Sequence, residues 1–225
     1  MGIALAGYAL SIRPRLLSWG ATGEEVQGAY PGAGLIPGGE RSGTMAVTID
    51  APPSRVWPWL VQMGCDRAGW YSWDRLDNGG VPSADRIHPE WQAISVGDRL
   101  ASTPSGSAWF EAAAVEPERF LGLRAPLDLR GRSFDTAGLR PHVYVDSLWG
   151  FQLKELPGGR TRLVVSGYAS ARPWLLQAIG NFIFWEPAHW IMQTRQFANL
   201  RRRAEREIPT GSSAGRRAGR ARSRR

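Results

Sequence analysis

Glu186 and His189 stand three apart in a stretch otherwise rich in Trp and Phe, so on a helix the carboxylate and the imidazole share a face. In an apolar wall such a pair can hold shifted pKa values and exchange a proton with a bound substrate. The same residues also suit a structural role, with Glu186 capping a helical piece that begins at Pro187 and His189 bonding a backbone carbonyl. Trp70-Tyr71-Ser72-Trp73-Asp74 follows a glycine and sets aromatic rings beside a carboxylate. As a pocket rim it stacks a flat ligand and offers Tyr71 and Asp74 for hydrogen bonds; as packing it pins a short helix to a sheet. Both readings stand.

Other chemistries find no support. His88, Glu90, His142 and His189 lack the close ligand spacing of a zinc site, so no metal is expected. Asp85, Arg86 and Glu90 read instead as an ion-paired loop at a cavity mouth. Cys65, the single cysteine, excludes an intrachain disulfide and has no nucleophile signature around it. Residues 31–39 are rich in Pro and Gly, yet no strand precedes them and no Gly-Lys-Ser/Thr follows, so they are not a phosphate loop. No cofactor is expected.

The element that must position the candidates is residues 171–207. At helical spacing Leu175, Ile179, Phe182, His189, Met192, Gln196 and Leu200 form one stripe, which Trp174, Ala178, Trp185, Ala188 and Phe197 widen. A helix this apolar needs covering on most of its surface, by a concave protein layer or by lipid. Pro187 removes the bond to the Ile183 carbonyl and predicts a split into 173–185 and about 186–206.

Upstream the texture is mostly strands. Residues 44–50 alternate, with Met45, Val47 and Ile49 on one face. Ser54 is an N-cap candidate for a helix ending at Gly64, and a short helix is expected over 72–77. Thr22-x-x-Glu25 reads as a capping box. Strands are expected at 99–103, 108–115, 120–125, 143–156 and 161–169, the last two joined by Pro157-Gly158-Gly159. On 143–156, Val143, Val145, Trp149, Phe151 and Leu153 share a face, with Asp146, Gln152 and Lys154 opposite. That pattern predicts a sheet covered on one side and wet on the other.

The formal charge of +8 is local: residues 201–225 carry ten arginines against Glu205 and Glu207, leaving the other residues balanced. The division expected is an apolar segment and Pro/Gly-rich loop over 1–43, a folded domain over 44–207, and a disordered Arg-rich tail over 208–225. The apolar run 1–12 is shorter than the roughly 20 residues that span a bilayer. It and the tail can touch an anionic membrane surface. Nucleic acid is not an expected partner, because no aromatics interleave the tail arginines.

The stretch Val47-Thr-Ile-Asp-Ala-Pro-Pro-Ser-Arg-Val-Trp-Pro-Trp-Leu-Val-Gln-Met-Gly64 resembles the SRPBCC superfamily of START and Bet v 1-like proteins. Within it, the chain is similar to the bacterial branch labelled polyketide cyclase/dehydrase-like. Gly69-Trp-Tyr-Ser-Trp-Asp74, Ala84-Asp-Arg-Ile-His-Pro-Glu-Trp91 and Trp185-Glu-Pro-Ala-His-Trp-Ile-Met192 resemble that branch too. The resemblance covers about residues 19–207 and implies an α+β helix-grip fold: a curved antiparallel sheet around a long C-terminal helix, with two short helices after the first strand. It also implies an internal apolar cavity for lipids, sterols or aromatic polyketides.

The expected function is therefore binding of a hydrophobic or aromatic small molecule between sheet and helix, in a cytoplasmic protein that can sit at the inner face of the membrane. The lining expected is Trp70, Tyr71, Trp73, Asp74, Glu90, Trp109, Trp149, Phe151, Trp185, His189 and Met192. The alternative is a cyclase or dehydratase using Glu186, His189, Asp74 or Tyr71. A further alternative is a membrane-peripheral protein.

Overall fold

The computed structural model of the chain describes residues 6–206. Its frame is a hairpin of two long strands, β6 (Tyr144–Leu156) and β7 (Arg160–Arg172). Gly158 and Gly159 both take positive φ, 83° and 68°, as a tight turn matched to strand twist requires. Around it lie β1 (Glu40–Arg41), β2 (Met45–Ile49), β3 (Arg99–Ala101), β4 (Trp109–Glu116) and β5 (Phe120–Asp128). They form one seven-stranded antiparallel sheet in the order β1-β7-β6-β5-β4-β3, with β2 also paired to β7. The fold is a helix-grip.

The helices are α1 (Arg13–Leu17), α2 (Gly23–Gln27), α3 (Pro53–Val61), α4 (Asp74–Asp77), α5 (Trp174–Gly180) and α6 (Glu186–Ala204). The expected capping box is present: Thr22 accepts from the Glu25 N–H, and the Glu25 carboxylate accepts from the Thr22 N–H at 2.8 Å. Glu25 also takes Arg162 of β7, fixing α2 to the sheet. Ser54 does not cap α3, which starts one residue earlier at Pro53 with Pro52 in the cap position. Proline at the first helical position loses no bond, so no side-chain cap is needed there.

The long C-terminal helix departs from the expected split in an instructive way. Helical dihedrals run unbroken from α5 into α6, through a π turn at Asn181–Trp185. There the Glu186 N–H bonds the Asn181 carbonyl, so the carbonyl left over belongs to Phe182, facing the ring of Pro187. The Tyr8 hydroxyl reaches that carbonyl at 3.5 Å. The N-terminal helix repeats the device, with a π turn at Tyr8–Ile12 just ahead of Pro14. Widening the turn accommodates proline without a break.

The second half of α6 lies on the concave face of the sheet. Phe197, Leu200 and Ala204 are buried against Met63, Leu121, Phe151 and Leu163, each large side chain contributing about 1.5–3 kcal/mol by leaving water. Buried amides fix the helix register: Gln196 donates to the Trp70 carbonyl at 2.9 Å and Asn199 to that of Tyr71 at 2.8 Å.

The convex face is wet only in part: Lys154 is exposed and Gln152 half-buried, but much of the rest is covered. Residues that follow α1 fold back over it, burying Tyr30, Phe120 and Val164 in a second cluster. Asp146, expected to face water, is 1% exposed and forks onto Arg124 at 2.8 and 2.6 Å. A polar residue on an alternating strand signals a face, not its solvent, because the cover comes from elsewhere in the chain.

Candidate functional site

Trp149 organises the concave face. It lies on β6 opposite Leu123 and Gly167, and its indole N–H donates to Gln193 of α6 at 3.2 Å. Its ring meets those of Phe151 at 4.6 Å, Phe110 at 5.7 Å, Trp70 at 5.8 Å and His189 at 6.3 Å. Helix and strands thus bring together Trp70, Trp149, Phe151 and His189 of the expected lining.

Burial along this face is graded. Leu121, Phe151 and Val165 are fully covered by the second half of α6. Strand alternation places Leu127, Val145 and Ala171 on the same side, mutually paired across β5, β6 and β7, and these are only half-buried. The helix residues towards this end, Trp185 and His189, are exposed. Cover from the helix is therefore complete under 197–204 and incomplete over Leu127, Val145 and Ala171.

The remaining candidates are dispersed. Glu186 is committed to Arg13 through a two-pronged ion pair at 2.6 and 2.8 Å, so it does not couple to His189. That pair raises the Arg13 pKa, chiefly through the hydrogen bond. The crowded apolar surroundings lower the His189 pKa, to about 4. The lowered value keeps the imidazole neutral at pH 7. Tyr71 is wholly buried at φ 58°, its hydroxyl accepting from Gln62 at 2.7 Å and Arg203 lying over its ring. Burial raises its pKa, so it stays a phenol.

Asp74 accepts from the Ser83 hydroxyl at 2.5 Å, and Trp73 stacks under Arg195 on the surface. Glu90 pairs with His88 in an exposed turn. Trp109, next in sequence to Phe110, projects to the other side of β4 and lies under Arg99. Met192 is half-buried, with its carbonyl taken by Ser72. Phe110 and Gln193 were not among the expected lining. The alternation of β4 was the available signal for Phe110; Gln193 had none, since its value lies in the indole it meets.

Two further features are chemically notable. A groove of about 640 Å³ lies at the far end of α6, lined by Trp19, Val47, Phe197, Ala198, Arg201 and Arg202. At the end of α4, neither carboxylate oxygen of Asp77 has a partner among the described residues, and burial raises its pKa to about 6 from 3.8. An acid with a raised folded-state pKa costs stability once ionised, so its penalty is absent below about pH 4 and complete above about pH 6. Asp77→Asn should therefore stabilise the protein by about 1 kcal/mol at pH 8, after discounting for its partial solvent contact, and leave it nearly unchanged at pH 4. Urea unfolding of both proteins at the two pH values reads this directly; equal gains at both would remove Asp77 as the cause.

No protein-family model matches the chain, and no curated protein does. Solved structures resemble it loosely. A protein from Arthrobacter aurescens is 13% identical, with 77% of this chain and 92% of that one aligned at a TM-score of 0.42. Protein CV1439 from Chromobacterium violaceum is 15% identical over 76% of this chain and 100% of its own, at a TM-score of 0.41. CalU16 from Micromonospora echinospora is 19% identical over 79% of this chain and 73% of its own, at 0.40. Such scores mark a rough correspondence of elements and carry nothing about what this chain binds.

Proposed function

We propose that the chain is a binding protein for a hydrophobic or aromatic small molecule, lipid- or polyketide-like, held in a trough between the far ends of β5–β7 and the start of α6. The observation that carries this reading is the graded burial of the concave face. Leu127, Val145 and Ala171 continue the apolar floor beyond the point where helix side chains cover it. Half-buried apolar floor under an aromatic wall is the usual composition of a small-molecule site. The sequence motifs similar to the SRPBCC superfamily, whose characterised members enclose such ligands, point the same way. Trp149 supplies a flat stacking surface held in place by Gln193. His189, neutral at pH 7, offers a hydrogen bond at the lip without a charge to desolvate.

Uptake of a lipophilic dye such as Nile red tests the site. Wild type should bind it saturably, and Val145→Arg, which puts a cation on the half-exposed floor, should weaken binding by about tenfold or more. The melting temperature should stay within a few degrees, since the position already touches water. Absence of saturable uptake by wild type, or equal uptake by the variant, would refute the proposal.

A further inference from the structure

The most unusual surface of the molecule is not the trough but the helical tip beside it. Tyr8 stacks edge-on against Phe182 with ring centres 5.1 Å apart, and Arg13 clasps Glu186. These contacts tie the N-terminal helix to the π turn of the C-terminal one along a single side. On the remaining sides Trp174, Leu175, Ile179, Ile183, Phe184 and Trp185 are 50–71% exposed, and Leu10 on the partner helix is 80% exposed. A helix that is apolar nearly all round is stable in a core or in lipid, and among the described residues no protein layer covers it.

The charges of the tip indicate which cover suits it. Residues 6–17 and 172–191 carry Arg13, Arg15, Arg172 and Glu186. Glu186 is neutralised by Arg13, so the unbalanced groups are cations and no free carboxylate is presented. Residues 1–12 hold no charged side chain. Tryptophans at both ends of the exposed stretch, Trp174 and Trp185, suit the boundary between head groups and acyl chains. Among the described residues no helix is long and apolar enough to cross a membrane, which leaves lying in the interface rather than spanning it.

We infer that this two-helix tip docks into the surface of an anionic lipid bilayer, burying Ile183, Phe184 and Trp185 among the acyl chains with Arg15 and Arg172 at the head groups. The π turns serve the docking: each carries the helix past its proline unbroken, so the apolar surface stays continuous. The inference goes beyond ligand binding and does not depend on it. It also places the open end of the trough close to the membrane, since His189 lies one helical turn from Trp185.

Flotation of the full chain with vesicles of phosphatidylcholine, alone or mixed with phosphatidylglycerol, tests the inference. Wild type should float with the mixed vesicles at low salt, less well with the neutral ones, and retain part of its binding at high salt because insertion is apolar. The triple variant Ile179→Ser, Ile183→Ser, Phe184→Ser should lose about tenfold or more of its partition in both salts. Its melting temperature and Nile red uptake should match wild type, because the three side chains are exposed. Wild-type flotation that the triple variant shares would assign binding to other basic residues and overturn the docking. Light scattering adds a second refutation: a wild-type dimer that the triple variant converts to monomer, with no flotation by either, would make the tip an interface between copies. Failure of flotation with intact dye uptake removes the docking alone; failure of uptake with intact flotation removes the ligand reading alone.

Discussion

Asp146→Ala should lower the unfolding free energy by about 3–5 kcal/mol, the range for stripping one partner from a buried ion pair. Asp146 is 1% exposed and receives both prongs of Arg124, with Arg140 a further 3.9 Å away. Removing the carboxylate leaves the Arg124 guanidinium largely out of water without its hydrogen-bonded counter-ion, with only Glu111 of β4 as a charge partner among the described residues. The hydrogen bond to Asp146 is the main reason the Arg124 pKa is raised, which shows how closely the two groups depend on each other. Replacing both, as Arg124→Met with Asp146→Leu, should recover most of the loss, because an apolar pair has no charge to desolvate. Urea midpoints for the single and double variants check this. A single-variant loss below about 1 kcal/mol would show that water reaches Arg124 after all.

Gly167→Ala should cost about 2–3 kcal/mol or more, from a clash that no side-chain rotation relieves. A Cβ at Gly167 would sit 1.7 Å from the Leu148 carbonyl oxygen and 2.8 Å from its carbon. Those are backbone atoms of the strand that carries Trp149, and Gly167 pairs directly with Trp149. Relief therefore requires the central hairpin to move, which would displace the indole from Gln193. Dye uptake should fall along with stability. Gly34→Ala is the control, since nothing lies within 4 Å of its added carbon, and a change within about 0.5 kcal/mol is expected. Equal effects at the two positions would mean that the loss reflects glycine replacement in general, not the approach of Leu148.

The strands and the long helix were readable because each rests on a local period. Met45, Val47 and Ile49 alternate into the concave core, and the hairpin turn needs two residues free to take positive φ. Strand ends were less legible: β7 runs on to Arg172, past the expected 169, because Tyr144–Ser147 of β6 remain available to pair with it. The aromatic cluster on Trp149 was half legible. Trp70, Phe151 and His189 stood out by type, whereas Trp109 and Trp185 looked equivalent in sequence and point elsewhere. Residue type states what a side chain can do, and only the neighbouring strand or helix decides which space it faces.

What the amino-acid order alone determined is the set of periodic elements, the capped and turned joints between them, and an apolar C-terminal rod needing a cover. Tertiary structure decided where that cover is supplied. Phe197 and Leu200 receive it from the sheet, while Trp174, Ile183 and Trp185, equally apolar, stay mostly exposed among the described residues. It also buried Asp146 on a face that the strand pattern marks as polar. The physical reason is range: periodicity is set by neighbours three or four residues away, but burial is set by segments more than a hundred residues distant, such as Tyr30 against Val164 and Arg13 against Glu186.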